Sequence, residues 1–188
     1  MSTAAALELT DAESLADLGT YVTRAKAADP AGAVRLVVAG GVLAAYVCMA
    51  RGHGLSGEGT VLGLRTYAVR GPATLDATVA LAAVSDRTHR RGNGTSLPVP
   101  PVTVSAPWAG VAPPRAGWAV VARLSPELVH AVALGGAETV TVVPEVAVAR
   151  ALCRAAVDLG FVGRDPLTVH RSGRWQRLTS PLGHVLTR

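Results

Sequence analysis

"AVRLVVAGGVLAAYVCMA", residues 33 to 50, decides how this chain is built. Read as one apolar run, it approaches the ~20 residues that a helix needs to cross a bilayer. Three features oppose that reading: Arg35 near one end, the Gly40-Gly41 pair in the middle, and many β-branched side chains. Two β-prone arms about a two-residue glycine turn make a hairpin. On the first arm Val34, Leu36 and Val38 share a face, with Arg35 and Val37 on the other. The expectation is therefore no membrane span, and an antiparallel sheet with one buried face.

The flanks extend this pattern. "TVLGLRTYAVRG" (60–71) alternates again and supplies a third strand, with Leu62 and Leu64 to one side and Arg65 and Tyr67 to the other. Upstream, "LTDAESLADLGTYVTRAKAADP" (9–30) predicts a helix. Thr10 and Glu13 fit a capping box, Leu15, Leu18, Val22 and Ala25 recur at helical spacing, and Asp29-Pro30 stops it. Downstream, "TLDATVALAAVSDRTHR" (74–90) predicts a second helix, with Thr74 as its cap and Leu75, Val79 and Ala82 as its stripe. Its basic end, Arg87, His89, Arg90 and Arg91, suits the negative pole of the helix dipole.

After a break rich in Gly and Pro, "GWAVVARL" (117–124) predicts a strand and "SPELVHAVALGG" (125–136) a helix, with Ser125 as cap, Pro126 in the first turn and Gly135 as terminator. "ETVTVV" (138–143) predicts a strand. "PEVAVARALCRAAVDLG" (144–160) predicts a helix with Val148, Leu152, Ala155 and Leu159 inward. "LTVHRSGRWQRLTSPLGHVLTR" (167–188) predicts a meander turning at Ser172-Gly173 and Pro181 to Gly183. The fold class is α+β: a mixed, mainly antiparallel sheet with helices packed on it. Residues 1–188 are expected to form a single compact domain, its halves 1–91 and 117–188 joined by a long ordered Pro-rich strap, 92–116. No internal repeat is visible in the sequence.

At 188 residues the chain can bury a core without disulfides or metal. The core must be built from small branched side chains, since there is one Phe. The net charge is +5, with 9 basic against 8 acidic side chains in residues 1–94, and 9 against 5 in residues 95–188. Of the 18 cations 17 are Arg, which together with the Ala, Val, Gly and Pro richness points to a GC-rich genome rather than to chosen phosphate ligands. Cys48 and Cys153 sit far apart in apolar runs and read as buried free thiols, which fits a reducing cytoplasm. The acidic start "MSTAAALELTDAE" has no signal-peptide pattern.

The motifs exclude more than they assign. "GHGLSG" (52–57) matches a dinucleotide-binding glycine pattern, but a strand follows it where the pyrophosphate needs a helix N-terminus. His53 and Glu58 read as exposed loop residues, and Ser56 lacks a nucleophile elbow. His53, His89, His130, His170 and His184 are scattered without metal-ligand spacing, so no metal and no cofactor are expected.

Two stretches carry the candidate ligand-binding residues. In "TVHRSGRWQRL" (168–178), His170, Arg171, Arg174 and Arg177 surround Trp175, a mixture that suits a polyanion. "PPVTVSAPWAGVAPPRAGW" (100–118) lacks the P-x-x-P-x-cation spacing of an SH3 ligand and is too apolar for a free linker. Its Trp108 and Trp118 seek burial, which makes it an ordered strap, with Arg115 beside them. The candidate ligand-binding set is thus Trp108, Arg115, Trp118, His170, Arg171, Arg174 and Trp175.

"VLGLRTYAV…TLDATVAL…DR", the Trp-bearing strap and the ending "TVHRSGRWQRLTSPLGHVLTR" together resemble a group of uncharacterised proteins from high-GC actinobacteria. The resemblance covers nearly the whole chain and implies a bacterial cytoplasmic setting, with no activity or catalytic residue to carry over. The functional expectation is a soluble binding or assembly protein that self-associates, with a homodimer as partner and no membrane. The alternatives are a small-ligand protein or enzyme with a pocket under residues 100–118, and polyanion or nucleic-acid binding by the C-terminal meander.

Overall fold

The computed structural model describes residues 6–54, 57–90, 94–136, 138–143 and 146–188. The chain divides into two units, one of residues 1–47 and 65–109, the other of residues 48–64 and 110–188.

The first unit begins with β1 (Ala6–Glu8) and α1 (Ala12–Ala28). The helix is capped by Asp11, whose carboxylate accepts from the Ser14 N–H at 2.6 Å. The expected Thr10–Glu13 box is therefore corrected: Thr10 donates its hydroxyl to Asp11 instead, and Asp11 is the better-placed acceptor. Leu15, Leu18, Val22 and Ala25 are buried as read. The Tyr21 hydroxyl reaches the Ala45 carbonyl at 3.3 Å, which turns α1 toward the sheet.

β2 (Ala33–Ala39) and β3 (Val42–Ala50) pair about Gly40 and Gly41, whose φ angles of 58° and 77° make the two-residue turn. Glycine adopts such positive angles without steric cost. Val34, Leu36, Val38, Leu43, Ala45 and Val47 form one buried face. β4 (Val61–Ala68) follows. Then comes β5 (Leu75–Ala80), a strand where a helix was expected, and α2 (Leu81–Arg90) starts only after it. Leu75–Ala80 carries apolar, small and polar residues at spacings that suit either period, and pairing with β2 decided for the strand. Arg91 lies outside the described residues. β6 (Ser96–Pro98) closes the unit by pairing with β1. Gly19 lets the helices approach, since a Cβ there would stand 3.0 Å from the Thr88 Oγ1.

The second unit holds β7 (Ala119–Leu124), α3 (Pro126–Leu134), β8 (Thr139–Val143), β9 (Val146–Ala149), α4 (Arg150–Asp158), β10 (Leu167–Ser172), β11 (Trp175–Ser180) and β12 (Gly183–Thr187). Ser125 caps α3 by accepting from the Leu128 N–H, as its sequence predicts. The long helix expected over residues 144–160 is corrected. Val146–Ala149 is strand β9, paired with β8, and the helix runs from Arg150. Val148 is still buried, but from a strand; Leu152, Ala155 and Leu159 are buried as read. Pro144 and Glu145 lie outside the described residues.

The two units repeat one circuit in two chain orders. In the first, β5 lies beside β2 of the meander β2–β3–β4, α2 leads from β5 to β6, and β6 pairs with β1, which leads into α1. In the second, β7 lies beside β10 of the meander β10–β11–β12, α3 leads from β7 to β8, and β8 pairs with β9, which leads into α4. The neighbours are the same and the chain enters at a different point, so no repeat shows in the linear sequence. Strands β3 and β4 contribute residues to both units. The class is α+β with a large antiparallel sheet. Among the described residues no helix is long and apolar enough to cross a membrane.

Candidate functional site

The C-terminal meander gathers the chemistry of the second unit. β10 and β11 pair with Arg171 opposite Gln176, His170 opposite Arg177 and Ser172 opposite Trp175. Because side chains alternate along a strand, these residues divide between two faces. Gln176 in turn lies opposite Thr187 of β12. Arg171, Gln176 and Thr187 therefore form one cross-strand row.

That row lines a groove of about 610 Å³, together with Gly173, Arg174, Arg188 and Glu58. The turn is Gly173-Arg174, one residue later than expected, and Gly173 takes a φ of 54°. Arg171 and Arg174 are exposed, and among the described residues neither they nor Arg188 is ion-paired. Gln176 donates one amide hydrogen to the Ala147 carbonyl at 2.5 Å, and the Thr187 hydroxyl donates to the Thr60 carbonyl at 3.1 Å.

The opposite face holds a different cluster. The Arg177 guanidinium lies over the Trp118 ring, 4.5 Å from its centroid, and the Trp118 indole N–H donates to the Pro114 carbonyl at 3.0 Å. His184 shares 3.0 Å with the Thr179 hydroxyl through its Nδ1. Burial, with Arg177 and His170 nearby, pulls its pKa down to about 4. Burial first and Arg177 second also lower the pKa of His170, whose Nδ1 is buried without a hydrogen-bond partner among the described residues. The Arg177 Nε is in the same condition. Burial and the neighbouring guanidinium thus bias both imidazoles toward the neutral form.

Of the seven residues read as ligand-binding, the structure brings Arg171 and Arg174 into one groove and sets His170 on the other face with Arg177 and Trp118. Trp175 is buried. Trp108, half-buried in the single turn Pro107–Gly110, belongs to the first unit. Arg115 is exposed. The burial expected of Trp108 and Trp118 is only partial. Sequence reasoning read Glu58 as an exposed loop residue and His184 as one of five scattered histidines, and did not single out Thr187 or Arg188. Strand register places Thr187 and His184, and the Gly59 N–H, donating to the Arg188 carbonyl, ties the Glu58 loop beside them.

The middle of the strap is tied to the first unit at two points. In the first unit the Val104 N–H donates to the Thr78 carbonyl of β5 at 2.9 Å, and Arg35 donates to the Ala109 carbonyl at 2.6 Å. A second groove, about 450 Å³, runs between α1 and α2 past Gly19, Thr20, Arg24 and His89. Within the "GHGLSG" loop the His53 N–H donates to the Glu58 carbonyl at 2.8 Å. A Cβ on Gly52 would meet the Gly57 carbonyl at 2.5 Å, so this glycine serves a close backbone approach. Ser56 lies outside the described residues. Cys153 is buried and its thiol is pushed up to about 11, which removes it as a nucleophile. Among the described residues no three His, Cys, Asp or Glu side chains are grouped to hold a metal ion.

The family model described as "Domain of unknown function (DUF8010)" matches residues 2–110, more than half of the chain. The chain belongs to this family. A second model, "Domain of unknown function (DUF8185)", matches residues 140–188, which contain the whole Arg-lined meander. No curated protein matches. Among solved structures, the DNA polymerase III beta subunit of Thermotoga maritima is similar at a TM-score of 0.55 and 13% identity. The beta sliding clamp of C. crescentus, solved with PEG bound to a putative beta-motif tethering region, is similar at a TM-score of 0.53 and 11% identity. Each likeness covers 97% of this chain and 64% of the other, so the family member spans less than two thirds of those chains. At such identities the likeness is one of fold.

Proposed function

We propose that the chain is a binding and assembly protein that associates with a second copy of itself. The observation that carries this reading is the edge strand β7. It pairs with β10 on one side, and among the described residues no strand pairs with its other side. Its sequence, AVVARL, is apolar apart from one Arg, and Val120 is 61% exposed. An apolar edge with unpaired backbone groups favours addition of another strand. In the first unit, by contrast, the edge strand β5 is engaged by Val104 of the strap. The names of the similar structures, a polymerase subunit and a clamp, are names of parts in assemblies and agree with a role in binding.

Sedimentation velocity between about 1 and 100 μM tests the proposal, since mass action shifts a self-association over such a range. The weight-average mass is expected to rise with concentration, and Val120→Lys, which charges the edge, is expected to suppress the rise. A strict monomer throughout would overturn the reading. We also propose that residues 1–188 unfold as one domain, because β3 and β4 run through both units. Calorimetry should give a single transition; two well-separated ones would refute it.

A further inference from the structure

We propose that the groove at the mouth of the β10–β11 hairpin is a site for a compact oligophosphate: two or three phosphoryl groups in a row, free or carried by a small molecule. Arg171, Arg174 and Arg188 line it against one carboxylate side chain, Glu58, so its side chains carry a net positive charge. None of the three guanidiniums is ion-paired among the described residues, which leaves their donors to water or to a ligand. Guanidinium forks match phosphate oxygens in geometry as well as in charge. Gln176 adds a second amide hydrogen, its first being held by Ala147.

The extent of the row selects the ligand. Arg171, Gln176 and Thr187 occupy three adjacent strands, which spans about 10 Å at the usual strand spacing. The row ends on Ala119 at one side and on buried Val61 at the other, so no cation continues it. Among the described residues no aromatic ring lines the groove, whereas proteins that track single strands stack bases on aromatic side chains. A short charged patch without a stacking surface fits a di- or triphosphate and not a polynucleotide. The ~610 Å³ volume lies within the range of small-ligand sites.

Isothermal titration of the full chain with sodium tripolyphosphate tests this. Binding is expected, weakening as salt rises. The pair Arg171→Ala and Arg174→Ala should weaken it about tenfold or more. The pair Arg123→Ala and Arg164→Ala, which removes equal charge from exposed positions of the same unit, should leave it unchanged, and Glu58→Gln should tighten it. All five positions are exposed, and thermal unfolding checks that each variant is folded. Absence of binding, full affinity after loss of Arg171 and Arg174, or equal weakening by both pairs would each overturn the site. A single-stranded oligonucleotide is expected to bind no more tightly than tripolyphosphate. Tighter binding that persists without Arg171 and Arg174 would overturn the compact-ligand reading.

Discussion

Arg177 rests its guanidinium 4.5 Å from the centroid of the Trp118 ring. The indole is itself pinned through its N–H to the Pro114 carbonyl. The end of the strap and the centre of the meander are thus joined by a cation on an aromatic face. Trp118→Leu should remove that contact and the indole hydrogen bond, lowering stability by about 1–2 kcal/mol in a urea titration. Arg177→Met should cost far less, because it removes a guanidinium whose Nε is buried without a partner.

Burial, reinforced by the same guanidinium, creates a pH response at His184. His184 has its pKa lowered to about 4, so the folded chain stays neutral there where an unfolded imidazole would take up a proton. The unfolded state then binds more protons as the pH falls below the ordinary imidazole pKa. Stability is therefore full above about pH 6.5 and is lost as the pH falls toward 4, by about 3 kcal/mol at most from this group. His184→Gln should flatten that part of the stability–pH curve. In Arg177→Met, an NMR titration should find the His184 pKa shifted upward.

Gly183 is expected to tolerate no side chain. Its φ is +148°, and a Cβ would stand 2.6 to 2.8 Å from three ring carbons of buried Phe161. Gly183→Ala should cost about 3 kcal/mol or more through overpacking and backbone strain, read as a drop in the denaturation midpoint. Gly71→Ala is the comparison. It also has positive φ but open space around it, and should cost less.

Asp17 holds two partners in the first unit. Its carboxylate accepts from the Arg65 Nε and, at 2.6 Å, from its Nη2, and from the hydroxyl of buried Tyr67 at 3.0 Å. Asp17→Ala strands the phenol away from water, and about 2–3 kcal/mol of stability should be lost in chemical denaturation. Asp17→Asn, which can still accept from Tyr67, should lose less.

The sequence was most legible where a local rule left one solution. The Gly40-Gly41 turn, the Ser125 cap and the Leu15–Ala25 stripe are all realised in the structure. It was least legible where a segment met two periods equally. Leu75–Ala80 and Val146–Ala149 were both read as first turns of helices, and both became strands because a partner strand satisfied their backbone groups. The three-residue strands β1 and β6 are too short for any periodic signal and exist through their mutual pairing. In the groove, Arg171 and Arg174 were legible because one hairpin turn brings them together. Thr187 reaches the groove through β-sheet register, and Glu58 from the loop before β4, where the Gly59 N–H donates to the Arg188 carbonyl; both placements are tertiary decisions. His170, Arg177 and Trp175 were grouped with Arg171 in the sequence, and strand alternation sets Arg171 on the other face from those three.

The circuit shared by the two units has a kinetic consequence. Because the chain enters it at different points, equivalent pairings close very different loops. β8 and β9 meet with Val143 opposite Val146, whereas β1 and β6 meet with Ala6 opposite Pro98. The entropy of closing the longer loop exceeds that of the shorter by about 3 kcal/mol. The β8–β9 ribbon can therefore form early and on its own neighbourhood's terms, while β1 must wait for most of its unit to assemble. In pulsed hydrogen exchange, protection at Leu7 and Leu97 is expected to arrive last. One arrangement of neighbours, threaded in two orders, thus fixes two different histories for reaching it.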